Sequence, residues 1–142
     1  MTYLLDTCIL SKLRKIRKYP DPSLENWINK HDESHFFLSV LTAGEIEQGI
    51  HKLKNQKDKR ILEDWYRSAI ARFQGRIINL DFKIASKWGE LTGTYQKKGI
   101  AIPVVDGLIA ATAIVHDLIV TTENVKDFCI IDEVKLFNPW ET

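Results

Sequence analysis

The feature that most constrains this chain is an alternation, repeated along its whole length, of short apolar runs with longer segments of helical period. Tyr3-Leu4-Leu5, His35-Phe36-Phe37-Leu38, Arg76-Ile77-Ile78-Asn79-Leu80, Leu118-Ile119-Val120-Thr121 and Val134-Lys135-Leu136-Phe137 read as strands. Strands separated by helices predict a parallel sheet covered on both faces, because parallel neighbours need a long crossover connection. The expected fold class is α/β, with a central, mainly parallel sheet flanked by helices.

The intervening segments carry helical signals. Thr7 is expected to cap a helix running to about Ile16, with Ile9, Leu10, Leu13 and Ile16 as its apolar stripe. Asp21-Pro22 reads as an N-cap followed by proline at the first helical position. Further helices are expected from Leu41 to about Asn55 and from Asp58 to Gln74, the latter stopped by Gly75. Asp81 should cap a long helix, Phe82 to Lys98, ended by Gly99. The stretch from Pro103 to Val115 is apolar on nearly every face, which predicts a helix buried at the centre of the molecule.

Length and composition narrow the class. The 142 residues have no Ser/Gly-rich linker and no internal repeat, so one domain over residues 1–142 is expected. No apolar run approaches the ~20 residues that span a bilayer. The start, Met1 to Asp6, lacks the pattern of a secretory signal, so a cytoplasmic protein is expected. Cys8 and Cys129 lie outside any Cys-x-x-Cys pattern, which argues against zinc and a disulfide framework and for ordinary buried thiols. His31, His35, His51 and His116 show no ligand spacing, and Trp65, Trp88 and Tyr95 fall at core positions rather than on a base-stacking platform. A net charge of +1 recommends no partner by itself. Basic residues nevertheless crowd two stretches, Lys12 to Lys18 and Lys52 to Arg60, which read as solvated helix faces or as contacts for a nucleic-acid backbone.

The acids carry the functional signal. Open parallel sheets bind ligands beyond the carboxyl ends of their strands. Asp6 closes the first strand, Glu45 lies in the first turns of the helix after the second, and Asp127 follows the Leu118–Thr121 strand. Asp106 opens the apolar helix that feeds that same strand. Singly, such residues are ordinary caps, turn residues or solvated side chains; their joint placement on one rim is what points to a site. A helix N-terminus stabilises one carboxylate by about 0.3–1 kcal/mol. It does not stabilise several packed together, whereas a hard divalent cation does, and an all-oxygen set suits Mg²⁺ or Mn²⁺.

The same residues resemble a known family. Tyr3-Leu4-Leu5-Asp6-Thr7, Leu38-Ser39-Val40 leading to Gly44-Glu45-Ile46, Asp106 to Ala113, Thr121-Thr122-Glu123-Asn124-Val125-Lys126-Asp127-Phe128 and Phe137-Asn138-Pro139-Trp140 look like a PIN-domain protein. Within that superfamily the chain is similar to the VapC-like and FitB-like toxins of bacterial toxin–antitoxin pairs. The resemblance implies a PIN-like three-layer sandwich. It further implies a Mg²⁺-dependent endoribonuclease that dimerises and is held inactive by an antitoxin whose C-terminal segment occupies the active-site groove.

Carried over by position, Asp6, Glu45 and Asp106 match the acids common to the family. Asp127 matches an acidic position before Phe in some members, whereas others place the acid where this chain has Asn124. Members commonly read Asp-Thr-Asn in the first block, where this chain has Cys8. Asp6 and Asp106 are expected as direct metal ligands, and Glu45 as a ligand, directly or through water, or as a proton acceptor. Asp127 is expected to complete the catalytic and metal-binding set. Thr7, Ser39, Thr121 and Asn124 are expected to support it by hydrogen bonds. The rival readings are a PIN-type nuclease with a housekeeping RNA or DNA task, and a non-enzymatic α/β signalling module.

Overall fold

Parallel pairing with crossovers on both faces is what the computed structural model shows for residues 1–141. The strands are β1 (Tyr3–Leu5), β2 (Phe36–Ser39), β3 (Ile77–Ile78), β4 (Ile119–Thr121) and β5 (Lys135–Phe137). They form one sheet in the order β3-β2-β1-β4-β5, and every pairing is parallel. The helices are α1 (Thr7–Arg14), α2 (Pro22–Asn29), α3 (Val40–Lys52), α4 (Gln56–Arg72), α5 (Phe82–Lys97) and α6 (Val104–His116). The chain leaves β1 toward β2 on one side, while β4 pairs on the other. The strand order therefore reverses between β1 and β4, the place where such sheets open a crevice at their carboxyl edge.

Strand alternation divides the core into two layers. Tyr3, Leu5, Phe36 and Leu38 pack on one face with Ile9, Leu10, Leu24 and Ile50 from α1 to α3. Leu4 and Val120 pack on the other with Ile84 and Leu91 of α5 and Ile109 to Ala113 of α6. All of β1 is buried, as expected of an interior parallel strand. His31 is half-buried among the rings of Tyr3 and Trp27, at centroid distances of 5.0 and 5.3 Å, so it is a packing residue. No helix of the described residues is long and apolar enough to cross a membrane.

The structure corrects four expectations. The cap of α1 is Asp6, not Thr7: the Asp6 carboxylate accepts the Thr7 N–H at 2.9 Å, which leaves the Thr7 hydroxyl free for another partner. The helix also ends at Arg14, short of Ile16. The apolar stretch of α6 is covered only from Gly107 onward; Val104 and Val105 in its first turn are 60% and 40% exposed. The cysteines are not both buried, for Cys8 is half-buried and Cys129 is exposed.

Gly107 shows how tightly α6 is seated. A Cβ there would lie 3.1 Å from both Cδ1 and Nε1 of Trp88 on α5, a rigid ring with little room to yield. Alanine would gain about 1 kcal/mol of helix propensity but overpack at a cost of about 1–3 kcal/mol. We expect Gly107→Ala to lower the melting temperature by a few degrees, at roughly 3 °C per kcal/mol. Gly49 of α3 has open space around its Cα, so Gly49→Ala should raise it. Thermal denaturation of the two variants checks the contrast, and a rise in both would show that the Trp88 contact is not restrictive.

Candidate active site

Asp6 sits where β1 becomes α1, at the sheet's strand-order reversal, and both of its carboxylate oxygens have donors. Oδ1 accepts the Thr7 N–H. Oδ2 accepts the Thr122 hydroxyl at 2.9 Å, and the Cys8 thiol lies 3.7 Å away. Burial is the main cause that pushes the Cys8 thiol above its ordinary range. Cys8 is therefore a neutral, weakly donating group rather than a nucleophile. Glu45, exposed on α3, accepts the Thr7 hydroxyl at 2.7 Å through Oε1. The freed hydroxyl of Thr7 thus joins the first acid's helix to the second acid.

Asp106 is half-buried in the first turn of α6. Burial pushes its carboxyl above the usual aspartate range, and the charges of Asp127, Asp6 and Glu45, in that order, push it further. The four acids expected from the sequence thus share one electrostatic neighbourhood, centred on Asp106. Asp127 is exposed at the end of a short 3-10 turn, Val125–Asp127, and its N–H donates to the Asn124 carbonyl at 3.0 Å. Buried Phe128 anchors the chain just beyond it.

Two of the expected supporting residues point elsewhere. Ser39 directs its hydroxyl to the Leu41 N–H at the start of α3, and Thr121 directs its own toward the Ile119 carbonyl. Asn124 reaches the site through its backbone N–H, which donates to the Thr122 hydroxyl at 3.0 Å. The residue missed by sequence reasoning is Thr122. The signal was register: Leu5 pairs with Thr121, so the residue after Thr121 stands beside Asp6, and a shift by one position moves a side chain to the opposite face.

Among the described residues, no three acid, cysteine or histidine side chains stand close enough to enclose an ion as they are placed. The donor chemistry nevertheless fits a hard cation. All four groups are carboxylates, the innermost is held against three like charges, and added positive charge would relieve that repulsion. Glu45 and Asp127 are exposed, and exposed side chains change rotamer on the picosecond-to-nanosecond scale.

At the rim, one residue of the first basic stretch meets this loop. The Lys12 ammonium lies 3.2 Å from Glu123 and 4.9 Å from the centre of the Trp140 ring. The Trp140 indole N–H donates to both oxygens of Asp21, the cap of α2, at 3.0 and 2.8 Å. Arg14 instead lies over the Trp65 ring. Near it a groove of about 570 Å³ is lined by Leu10, Leu13, Ile28, Trp65 and Phe73, with Arg72 and Glu33 supplying charge.

The PIN domain family model matches residues 3–134. Toxin FitB of Neisseria gonorrhoeae is 33% identical over 138 residues, covering 96% of this chain and 97% of the relative. VapC ribonuclease Y4jK of Sinorhizobium fredii is 27% identical over 139 residues, covering 97% of each. Among solved structures, FitAcB from Neisseria gonorrhoeae superposes with a TM-score of 0.88 at 32% identity, covering 99% of this chain and 100% of that one. A toxin-antitoxin complex from Klebsiella pneumoniae superposes with a TM-score of 0.71 at 26% identity, with the same coverage.

Proposed function

Since the chain belongs to the PIN-domain family, we propose that it is the toxin of a type II toxin–antitoxin pair, an endoribonuclease that hydrolyses RNA phosphodiester bonds with Mg²⁺. The observation that carries this reading is the electrostatic convergence of Asp127, Asp6 and Glu45 on Asp106 at the carboxyl edge of the sheet.

In this reading Asp6 and Asp106 hold the ion directly, because both are fixed at helix starts. Asp127 completes the set. Glu45, on a longer and exposed side chain, ligates directly or through water, or accepts a proton from the attacking water; Thr7 sets the direction of its Oε1. When bound, the ion activates water and neutralises charge at the scissile phosphate. Manganese is expected to substitute. The chemistry needs no ribose 2′-OH, so the preference for RNA rests on family membership and on the named ribonuclease relatives. The partner is a cognate antitoxin whose C-terminal segment is expected to occupy the groove that holds the acids, and the separate groove between α1, α2 and α4 offers further apolar and charged side chains. The protein's work is expected in the cytoplasm.

The test is incubation of purified protein with labelled total RNA, with Mg²⁺ and then with excess chelator. Cleavage that requires the metal, and that stops when a cognate antitoxin is added, is the expected outcome. RNA left intact with both Mg²⁺ and Mn²⁺ would overturn the reading. A homodimer is also expected from family membership, with exposed Phe82 and Val104, 86% and 60% accessible, as candidates for its interface. Sedimentation at about 20 μM, well above the ~1 μM affinity of a modest interface, should show twice the chain mass. A monomer there would count against it.

A further inference from the structure

Thr122 is fully buried, and its hydroxyl has one hydrogen to place between two neighbours. The Asn124 N–H can only donate, so Thr122 Oγ1 is the acceptor in that bond. Its hydrogen is thereby directed to the other partner, Asp6 Oδ2, at 2.9 Å. The Cys8 sulfur stands 3.6 Å from the same hydroxyl and 3.7 Å from Asp6 Oδ2. With the threonine hydrogen already engaged, the thiol is the donor in either contact.

We infer that Thr122 is a positioning residue of the acid site: it fixes the rotation of the Asp6 carboxylate and ties it to the turn that bears Asp127. The inference rests on the assignment of the acids under Proposed function.

The link is continuous. Asp6 is held on one oxygen by the Thr7 N–H and on the other by Thr122. Hydrogen bonds on both oxygens remove the carboxylate's freedom to rotate and leave its remaining lone pairs for a cation. Thr122 in turn holds the Asn124 backbone, and the Asn124 carbonyl holds the Asp127 N–H. Residues at the two ends of the chain are thus locked into one frame across the β1–β4 boundary, where the Asp6 N–H also donates to the Thr121 carbonyl at 3.0 Å. Bonds to a carboxylate acceptor are the stronger kind, and Asp6 is half-buried, so losing the Thr122 bond leaves one of its oxygens without its protein donor.

The test uses the full chain without RNA, following free Mn²⁺ by its electron paramagnetic resonance signal, together with steady-state cleavage kinetics. Thr122→Val keeps the shape and removes the hydroxyl. It should weaken Mn²⁺ binding by about tenfold, the low end for a partner of a metal ligand, and lower kcat while leaving the RNA KM unchanged. Thr122→Ser should restore both. In an Asp6→Asn background Thr122→Val should cause no further loss, because the two residues act as one unit. A lower melting temperature with native Mn²⁺ affinity would make Thr122 a core residue only and overturn the inference.

Should Thr122→Val not fold, the wild-type proton spectrum decides. The Thr122 hydroxyl proton should exchange slowly and shift in Asp6→Asn, and a fast-exchanging or unmoved proton would count against the bond. Asp106→Asn is the control for the underlying assignment. If it keeps native Mn²⁺ affinity and cleavage, the acid site itself is misplaced. If it loses both while Thr122→Val loses neither, only the role of Thr122 falls.

Discussion

Replacing Asp106 by Asn, or Asp6 by Asn, is expected to abolish RNA cleavage, with kcat/KM falling by roughly 10²- to 10³-fold or more, as befits loss of an interaction worth several kcal/mol. Asp106→Asn should at the same time make the metal-free protein melt slightly higher, by about 1–3 °C. The opposite signs come from one cause. The Asp106 carboxyl is raised by burial and by the charges of Asp127, Asp6 and Glu45, so its ionised form opposes folding when no cation is present. Because the folded value lies above the unfolded one, this penalty is absent below the ordinary aspartate range and complete once pH has risen through the folded value. Asparagine keeps the shape and removes the charge. Since Asp106 is only half-buried, solvent screening keeps the gain small. Melting curves of the metal-free wild type and variant across that pH window measure it. A variant that retained full cleavage would remove Asp106 from the site.

Asp127→Ala is expected to weaken Mg²⁺ affinity by roughly ten- to a hundred-fold, and Asn124→Ala to lower turnover with less effect on metal binding. The sequence left these two positions in competition for the fourth role. In the structure Asp127 exerts the largest of the three charge effects on Asp106. Asn124 reaches the site through its backbone, whose N–H and carbonyl bind Thr122 and Asp127. A backbone contact survives truncation of the side chain, so the alanine variant keeps the frame and loses only the amide. Magnesium titrations of both variants decide the matter. A shifted midpoint in Asn124→Ala with none in Asp127→Ala would reverse the assignment.

Much of the layered fold is legible in the sequence. Tyr3-Leu4-Leu5 reads as a strand because its residues are apolar and its neighbours are not, and the sheet buries all of it. Asp21-Pro22 and Asp81 announce helix starts by side-chain chemistry that acts within one turn, and both caps form, with bonds of 3.2 and 3.0 Å. Thr7 was misread by a single position. A hydroxyl and a carboxylate in adjacent places can both cap, and the tertiary contact with Glu45 engages the hydroxyl instead. The first turn of α6 was misread for a related reason: apolar composition says that a segment can be buried, not that a neighbour covers each turn of it.

Element types, the parallel pairing and the placing of the four acids in the segments that follow strands or open α6 were therefore legible in the sequence itself, through periodicity and capping that act over a few residues. The order β3-β2-β1-β4-β5 was decided by tertiary packing, and with it the meeting of β1 and β4 that sets Thr122 rather than Thr121 against Asp6. Packing also decided which carboxyl is raised and by whose charge, and that Lys12, out of a run of basic residues, faces Glu123 at the rim. These are through-space quantities. Electrostatic coupling and hydrogen-bond partnership depend on distance and burial between residues that the chain separates widely, and no local pattern encodes those distances.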